Sequence, residues 1–209
     1  MSEKYSFIKA VSLLLKAIWY IQWLFIGILI VFAITIFSNP SFVDLDKLTG
    51  FNVEYKKIEL PGSVIAPEIE KRDVYISNGE GRLHIAGFKS NYVLYRLAGV
   101  FLQLFIFMLI IHYLRELFKN MGNNNFFIIQ NGEFIKKISY LVIAIDVVPN
   151  LLYYFINLHI KNTLNLEGII FKSKFNFDFH TILLGLLILA ISQVFFEGNK
   201  LREENELTI

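Results

Sequence analysis

Four polar side chains fall inside stretches otherwise built from aliphatic and aromatic residues: Asp146 and Asn150 within Ile138 to Leu158, Gln22 within Ala17 to Phe37, and Gln103 within Tyr92 to Leu114. Each stretch is long enough to cross a bilayer, so these groups would sit where water is absent. A carboxylate in hydrocarbon costs at least about 2.5 to 3.5 kcal/mol, and Pro149 frees a backbone carbonyl that needs another donor. Asp146, Pro149 and Asn150 are therefore expected to face other helices rather than lipid. At 1.5 Å per residue, Asp146 lies about 12 Å from the inner end of its span, a depth that Gln22 and Gln103 approach. A buried hydrogen-bonded cluster of Asp146, Asn150, Gln22 and Gln103 follows. The same carboxylate could also relay a proton or cation, or transmit a ligand signal.

No other chemistry is supported. The four histidines, His84, His112, His159 and His180, have neither HExxH nor i, i+4 ligand spacing, so no metal site is expected. There is no Ser-His-Asp arrangement, no Gly-rich phosphate loop and no carboxylate pair at a defined spacing. Catalytic and cofactor-binding residues are thus expected to be absent, and the chain is not expected to be an enzyme. It contains no cysteine, which removes disulfides, thiol catalysis and Cys-based zinc. Its 20 basic and 18 acidic residues are spread along the chain, so direct nucleic-acid binding is not expected.

The elements that would position the polar cluster are clear. Of the 209 residues, 55% are hydrophobic and 16% aromatic, and the mean hydropathy is +0.52, more apolar surface than a soluble domain of this size needs. The fold class expected is an all-α membrane protein, a single domain of four transmembrane helices with spans at about 17–37, 92–114, 138–158 and 180–196. An amphipathic lead-in, 1–16, runs into the first span, which is expected to be retained because no small-x-small cleavage site follows it. A short interfacial helix is expected at Phe126 to Lys137, after the helix-breaking run Asn123-Asn124-Asn125. Glu197-Gly198-Asn199 is expected to end the fourth span, leaving 197–209 as a charged tail. Gly27, Gly99 and Gly185 would permit close helix approach, without GxxxG spacing.

The two remaining loops carry strand signals. In 38–91, Phe51 to Leu60 reads as one strand, and Asp73–Ser77 with Arg82–Ala86 flank Asn78-Gly79, a tight-turn signal. In 159–179, Phe171, Ser173, Phe175, Phe177 and Phe179 alternate against polar neighbours. An isolated hairpin is marginal in water, so both loops are expected to meet on one membrane side as a small sheet of three or four strands.

Orientation follows from basic residues near span ends. With the amino terminus inside, Lys4, Lys9, Lys16, Arg115, Lys119, Lys136, Lys137, Lys200 and Arg202 all lie in short cytoplasmic segments. The loop 38–91 carries seven basic residues but is 54 residues long, a length at which the bias counts less. Both termini are placed in the cytoplasm, the strand-rich loops outside, and the bilayer is that of a bacterial cytoplasmic membrane.

Two motifs resemble a family of bacterial four-span membrane proteins, domain-of-unknown-function family 2975. The first is Phe127, Asn131, Ile135, Lys136, Lys137 and Ile138 in the inner loop. The second is Gly198, Leu201, Arg202, Glu203, Glu204, Glu206, Leu207, Thr208 and Ile209 at the end of the chain. A Pro common before the family's aromatic is replaced here by Phe126. The resemblance implies the four-span plan and, because many members look to be encoded beside a small helix-turn-helix regulator, a membrane sensor or sequestering partner for a cytoplasmic transcription factor. The partner site would be Leu201, Arg202, Glu203, Glu204, Leu207 and Ile209, with apolar anchors around an acidic run that anionic lipid repels. The alternative is a small transport or immunity protein using the Asp146 region. Assembly into a homo-oligomer stays open.

Overall fold

Four helices of 29 to 37 residues dominate the chain in the computed structural model, which describes residues 2–39, 51–66, 69–83, 91–163, 169–171 and 178–207. They are α1 (Ser2–Ser38), α2 (Asn91–Gly122), α3 (Ile129–Thr163) and α4 (Phe179–Leu207). Each contains a stretch long and apolar enough to cross a membrane: Phe7–Ser38, Tyr95–Gly122, Ile129–His159 and Phe179–Asn205. Three strands, β1 (Phe51–Ala66), β2 (Ile69–Leu83) and β3 (Ile169–Phe171), complete the described structure. The architecture is a four-helix membrane fold with one small sheet.

The chain divides into two units. The first comprises Met1–Ile34, Leu97–Asn150 and Asn176–Ile209. Its centre is Ile106 and Ile110 of α2 against Ile138 of α3, surrounded by Leu102, Leu114, Leu141, Val142, Ile145 and Ile188. On α4, Gly185 lets the backbone approach α3 so closely that a Cβ there would overlap Ile143 and lie 3.1 Å from the Ser139 carbonyl oxygen. Small residues do this work in membranes, where packing rather than water exclusion drives helices together. A Cβ at Gly27, by contrast, would meet nothing within 4 Å among the described residues. The first helix buries Ile8, Leu15 and Gln22, a stripe of period seven, and runs antiparallel to α2, with Ile8 beside Gly122 and Trp19 beside His112. Tyr20, Leu24, Ile28 and Val31 of α1 and Leu183, Leu187 and Val194 of α4 are exposed. Large apolar side chains turned outward on helices of this length suit a hydrocarbon solvent.

The second unit, Thr35–Arg96 and Leu151–Phe175, holds the sheet, in the order β2-β1-β3. All pairings are antiparallel, and Val53 of β1 sits opposite both Gly81 and Phe171 and is buried. The predicted contribution of both loops to one sheet is therefore present. The turn is not where Asn78-Gly79 placed it. That dipeptide lies inside β2, Gly79 opposite Tyr55, and the pairing closes instead at Ala66 and Ile69. The 51–66 segment is long enough to pair along its whole length with 69–83, and a full ladder outweighs a local turn preference. Pro61 and Gly62 fall at the register shift between Glu59 and Ser63, where a bulge tolerates the missing donor. Of the alternation after Phe171, residues 172–177 lie outside the described structure, as do 84–86, and Phe179 is already helical.

Two helix boundaries also differ from expectation. The interfacial helix and third span are one helix, α3, because the buried positions Asn131, Ile135 and Ile138 continue the stripe of Leu141, Val142 and Ile145 without a break. The fourth span does not end at Glu197-Gly198-Asn199. Gly198 serves a close contact instead of a helix stop, and α4 runs on to Leu207.

Candidate functional site

At one end of the first unit, the helix-breaking run performs as expected. Asn124 adopts φ 62°, the left-handed conformation that terminates helices and that Asn tolerates. Its amide donates to the Met121 carbonyl, and that of Asn125 donates to Asn120. The turn is tied down by Asn131, which is fully buried. Its Nδ2 donates to the carbonyls of Asn125 (2.7 Å) and Phe126 (2.8 Å), while its Oδ1 accepts from Asn120 Nδ2 at 2.8 Å. One side chain thus satisfies the orphan carbonyls of the α2–α3 connection.

That connection presents Phe127 to α4. A Cβ at Gly198 would lie 2.9 Å from Phe127 Cδ1, so only glycine admits the ring there. Phe195 packs against the same ring, tilted by 37° with 5.6 Å between centroids, and Arg202 donates weakly to the Phe127 carbonyl at 3.4 Å. Asn199 is buried and donates to Glu203 Oε1 at 2.8 Å. Beyond this junction α4 projects with Leu201, Arg202, Glu203, Glu204 and Leu207 exposed, while Ile209 lies outside the described residues. Because the tail is helical, Leu201 and Leu207 point about 120° apart and do not form one stripe.

The second polar locus is Asp146. Its Oδ1 accepts from Asn150 Nδ2 at 2.8 Å, one helical turn on, and its Oδ2 accepts from the backbone N–H of Asp178 at 3.0 Å. Asp178 in turn is the N-cap of α4: its carboxylate accepts from Thr181 Oγ1 at 2.7 Å and from the His180 N–H at 3.1 Å. The Thr181 hydroxyl, then the His180 amide, hold the exposed Asp178 carboxyl below the usual carboxylate range.

Of the four residues expected to cluster, the structure brings together Asp146 and Asn150 alone. Gln103 lies exposed on α2. Gln22 is buried, but neither of its amide atoms has a hydrogen-bond partner among the described residues. Its depth explains this. Trp19 is level with His112, and the adjacent Tyr113 with Lys137, so Gln22 is three residues above that level and Asp146 nine, a separation of about 9 Å along the bundle. Counting from span starts set at residues 17 and 138 hid the offset, since both helices begin earlier. The residue missed is Asp178, although an Asp immediately before the apolar run of α4 is an ordinary N-cap signal. Among the described residues no group of three His, Asp or Glu side chains is placed to hold a metal ion.

A family model described as "Protein of unknown function (DUF2975)" matches residues 20–209. The chain belongs to that family. No curated protein and no solved structure matches it. In this DUF2975 protein the two motifs that carried the resemblance touch: Phe127 of the α2–α3 connection packs on Gly198 of the carboxy-terminal motif, and Arg202 reaches the Phe127 carbonyl. The other motif positions account for the rest of the junction, Asn131 tying the turn and Ile135 and Ile138 burying the face of α3 beneath it.

Proposed function

We propose that this DUF2975 protein is a membrane-embedded binding protein, not an enzyme, that senses or sequesters a cytoplasmic transcriptional regulator through the end of α4. The observation that carries the reading is the junction of Phe127, Gly198 and Arg202, which pins the base of α4 and leaves Leu201 to Leu207 as an exposed helical projection. A helix held at its base loses less freedom on docking than a free tail. Glu203 and Glu204 offer charge complementary to a DNA-binding surface, so the bound regulator would be withheld from DNA. In this reading both termini and the α2–α3 connection face the cytoplasm. The transport alternative has less behind it, since both carboxylate oxygens of Asp146 already accept hydrogen bonds.

The test separates the junction from the projection. Truncation after Arg202 keeps the contacts of Phe127 with Gly198 and Arg202 but removes Glu203, which accepts from Asn199, together with everything beyond it; membrane insertion should be retained while soluble partners are lost from pull-downs of solubilised membranes, and Glu203→Gln, which keeps an acceptor for Asn199, controls for the lost hydrogen bond. Reversing charge at Glu203 and Glu204 should weaken capture most at low salt. Recovery of the same soluble partners with and without residues 203–209 would refute the reading.

A further inference from the structure

We propose that the seam between α1 and α2 binds the headgroup of an anionic phospholipid, with Lys16, Arg115 and Trp19 as its ligands. The guanidinium of Arg115 lies over the Trp19 ring, 5.1 Å from its centroid, and Trp19 is flanked by His112 at 5.9 Å and Trp23 at 6.2 Å. The antiparallel register set by Ile8 beside Gly122 and Trp19 beside His112 makes Lys16, three residues before Trp19, level with Arg115. Two cations therefore lie at one height on neighbouring helices. Among the described residues neither has a carboxylate or a hydrogen-bond acceptor, and the indole N–H of Trp19 has no acceptor either. Glu116, the neighbour of Arg115 in sequence, is engaged by Lys119 at 3.3 Å. Five guanidinium donors, an ammonium and an indole donor are thus left without a carboxylate partner among the described residues, the complement of a phosphodiester.

The occupant follows from what lies deeper on the same face. From Lys16 the face of α1 continues through Tyr20 and Trp23, both exposed, to Gly27, where a Cβ would meet nothing within 4 Å among the described residues. A ligand with its charge at Lys16 and Arg115 and an apolar body running along Trp23 and Gly27 is a membrane lipid rather than a soluble anion. The aromatic pair at this level matches the interfacial depth of Trp in membrane proteins, where headgroup phosphates lie. Stacking on Trp19 holds the Arg115 guanidinium in place, so it is preorganised for a planar, bidentate grip that lysine would not supply.

The experiment uses the full chain in nanodiscs of phosphatidylcholine with a minor fraction of phosphatidylglycerol, reading co-retained lipid by native mass spectrometry. The wild type should retain phosphatidylglycerol selectively. Lys16→Gln and Arg115→Gln should each weaken retention roughly fivefold, the effect of one basic group near an anionic surface, and the pair about 25-fold. Lys137→Gln, which removes the same charge over the Tyr113 ring instead of over Trp19, should leave retention unchanged. Lys16 is exposed, so its variant carries the test if the double variant does not fold. Equal loss with Lys137→Gln would overturn the site in favour of a diffuse basic belt. Competition of the lipid by millimolar inorganic phosphate would overturn the lipid assignment, and unchanged retention in the Lys16 and Arg115 variants would end the proposal.

Discussion

The ring of Phe127 occupies the space that a side chain on Gly198 would fill, with Cδ1 2.9 Å from the position of the missing Cβ. This contact joins the α2–α3 connection to the base of the projecting tail. It explains why α4 passes through a glycine instead of ending at it. Glycine in a helix interior costs about 1 kcal/mol relative to alanine, and that cost is offset here by the aromatic contact.

The pair is therefore coupled. Gly198→Ala should leave stability unchanged or lower in the wild type, because the gain in helix propensity is cancelled by displacing the ring. In a Phe127→Ala background the same substitution should stabilise by about 0.5 to 1 kcal/mol. A double-mutant cycle measured by thermal unfolding in detergent checks this, and additive effects would show that the ring yields freely.

Asp146 acts as a tie between α3 and the start of α4. Asp146→Leu leaves the Asp178 N–H and the Asn150 amide without an acceptor and should cost about 1.5 to 3 kcal/mol. Asp146→Asn keeps one acceptor oxygen and should lie between Leu and wild type. The ordering Leu, Asn, wild type in unfolding temperature is the expected result. Equal loss of activity in Asn and Leu variants with folding intact would favour a relay.

Asp178 predicts an acid-sensitive helix start. Its folded pKa is lowered, so the cap stabilises α4 fully above the ordinary carboxylate value of about 3.9 and is lost as pH falls through the lower folded value. Hydrogen exchange in the first turn of α4 should be flat above about pH 5 and accelerate, relative to the intrinsic rate, in strong acid. Asp146 and His180 also bond at this turn, so Asp178→Asn isolates the effect: it should abolish the change.

Gln22 is a stability defect in the α1 stripe. Replacing it with leucine keeps the volume and removes two buried polar atoms that have no partner among the described residues, so Gln22→Leu should raise stability by about 1 to 3 kcal/mol. A lower unfolding temperature would show that the amide has a partner in the membrane.

Orientation can be read directly, since the chain has no cysteine of its own. Single cysteines at Ser77 and Ser173 should react with an impermeant thiol reagent in whole cells, and one at Asn124 should not. Labelling at Asn124 alone would invert the proposed topology.

The four spans were legible in the sequence because hydrocarbon imposes a length of apolar chain that no local interaction can imitate. The helix end at Asn124 was legible too, because it rests on backbone conformation at one residue, whereas Gly27 and Gly185 read alike until the contacts with Ile143 and Ser139 singled out Gly185. The tertiary structure alone decided what depends on register between distant segments. Asn78-Gly79 looked like a turn until the long pairing of β1 with β2 absorbed it, because ladder hydrogen bonds along whole strands outweigh one dipeptide's preference. Gly198 looked like a helix stop until Phe127, 71 positions earlier, filled the space beside it. Gln22 and Asp146 looked level until the contacts of Trp19 and Lys137 showed how far each helix extends below them. Hydropathy reports which residues lie in the membrane, but the relative height of two helices is set by the side chains that interlock between them.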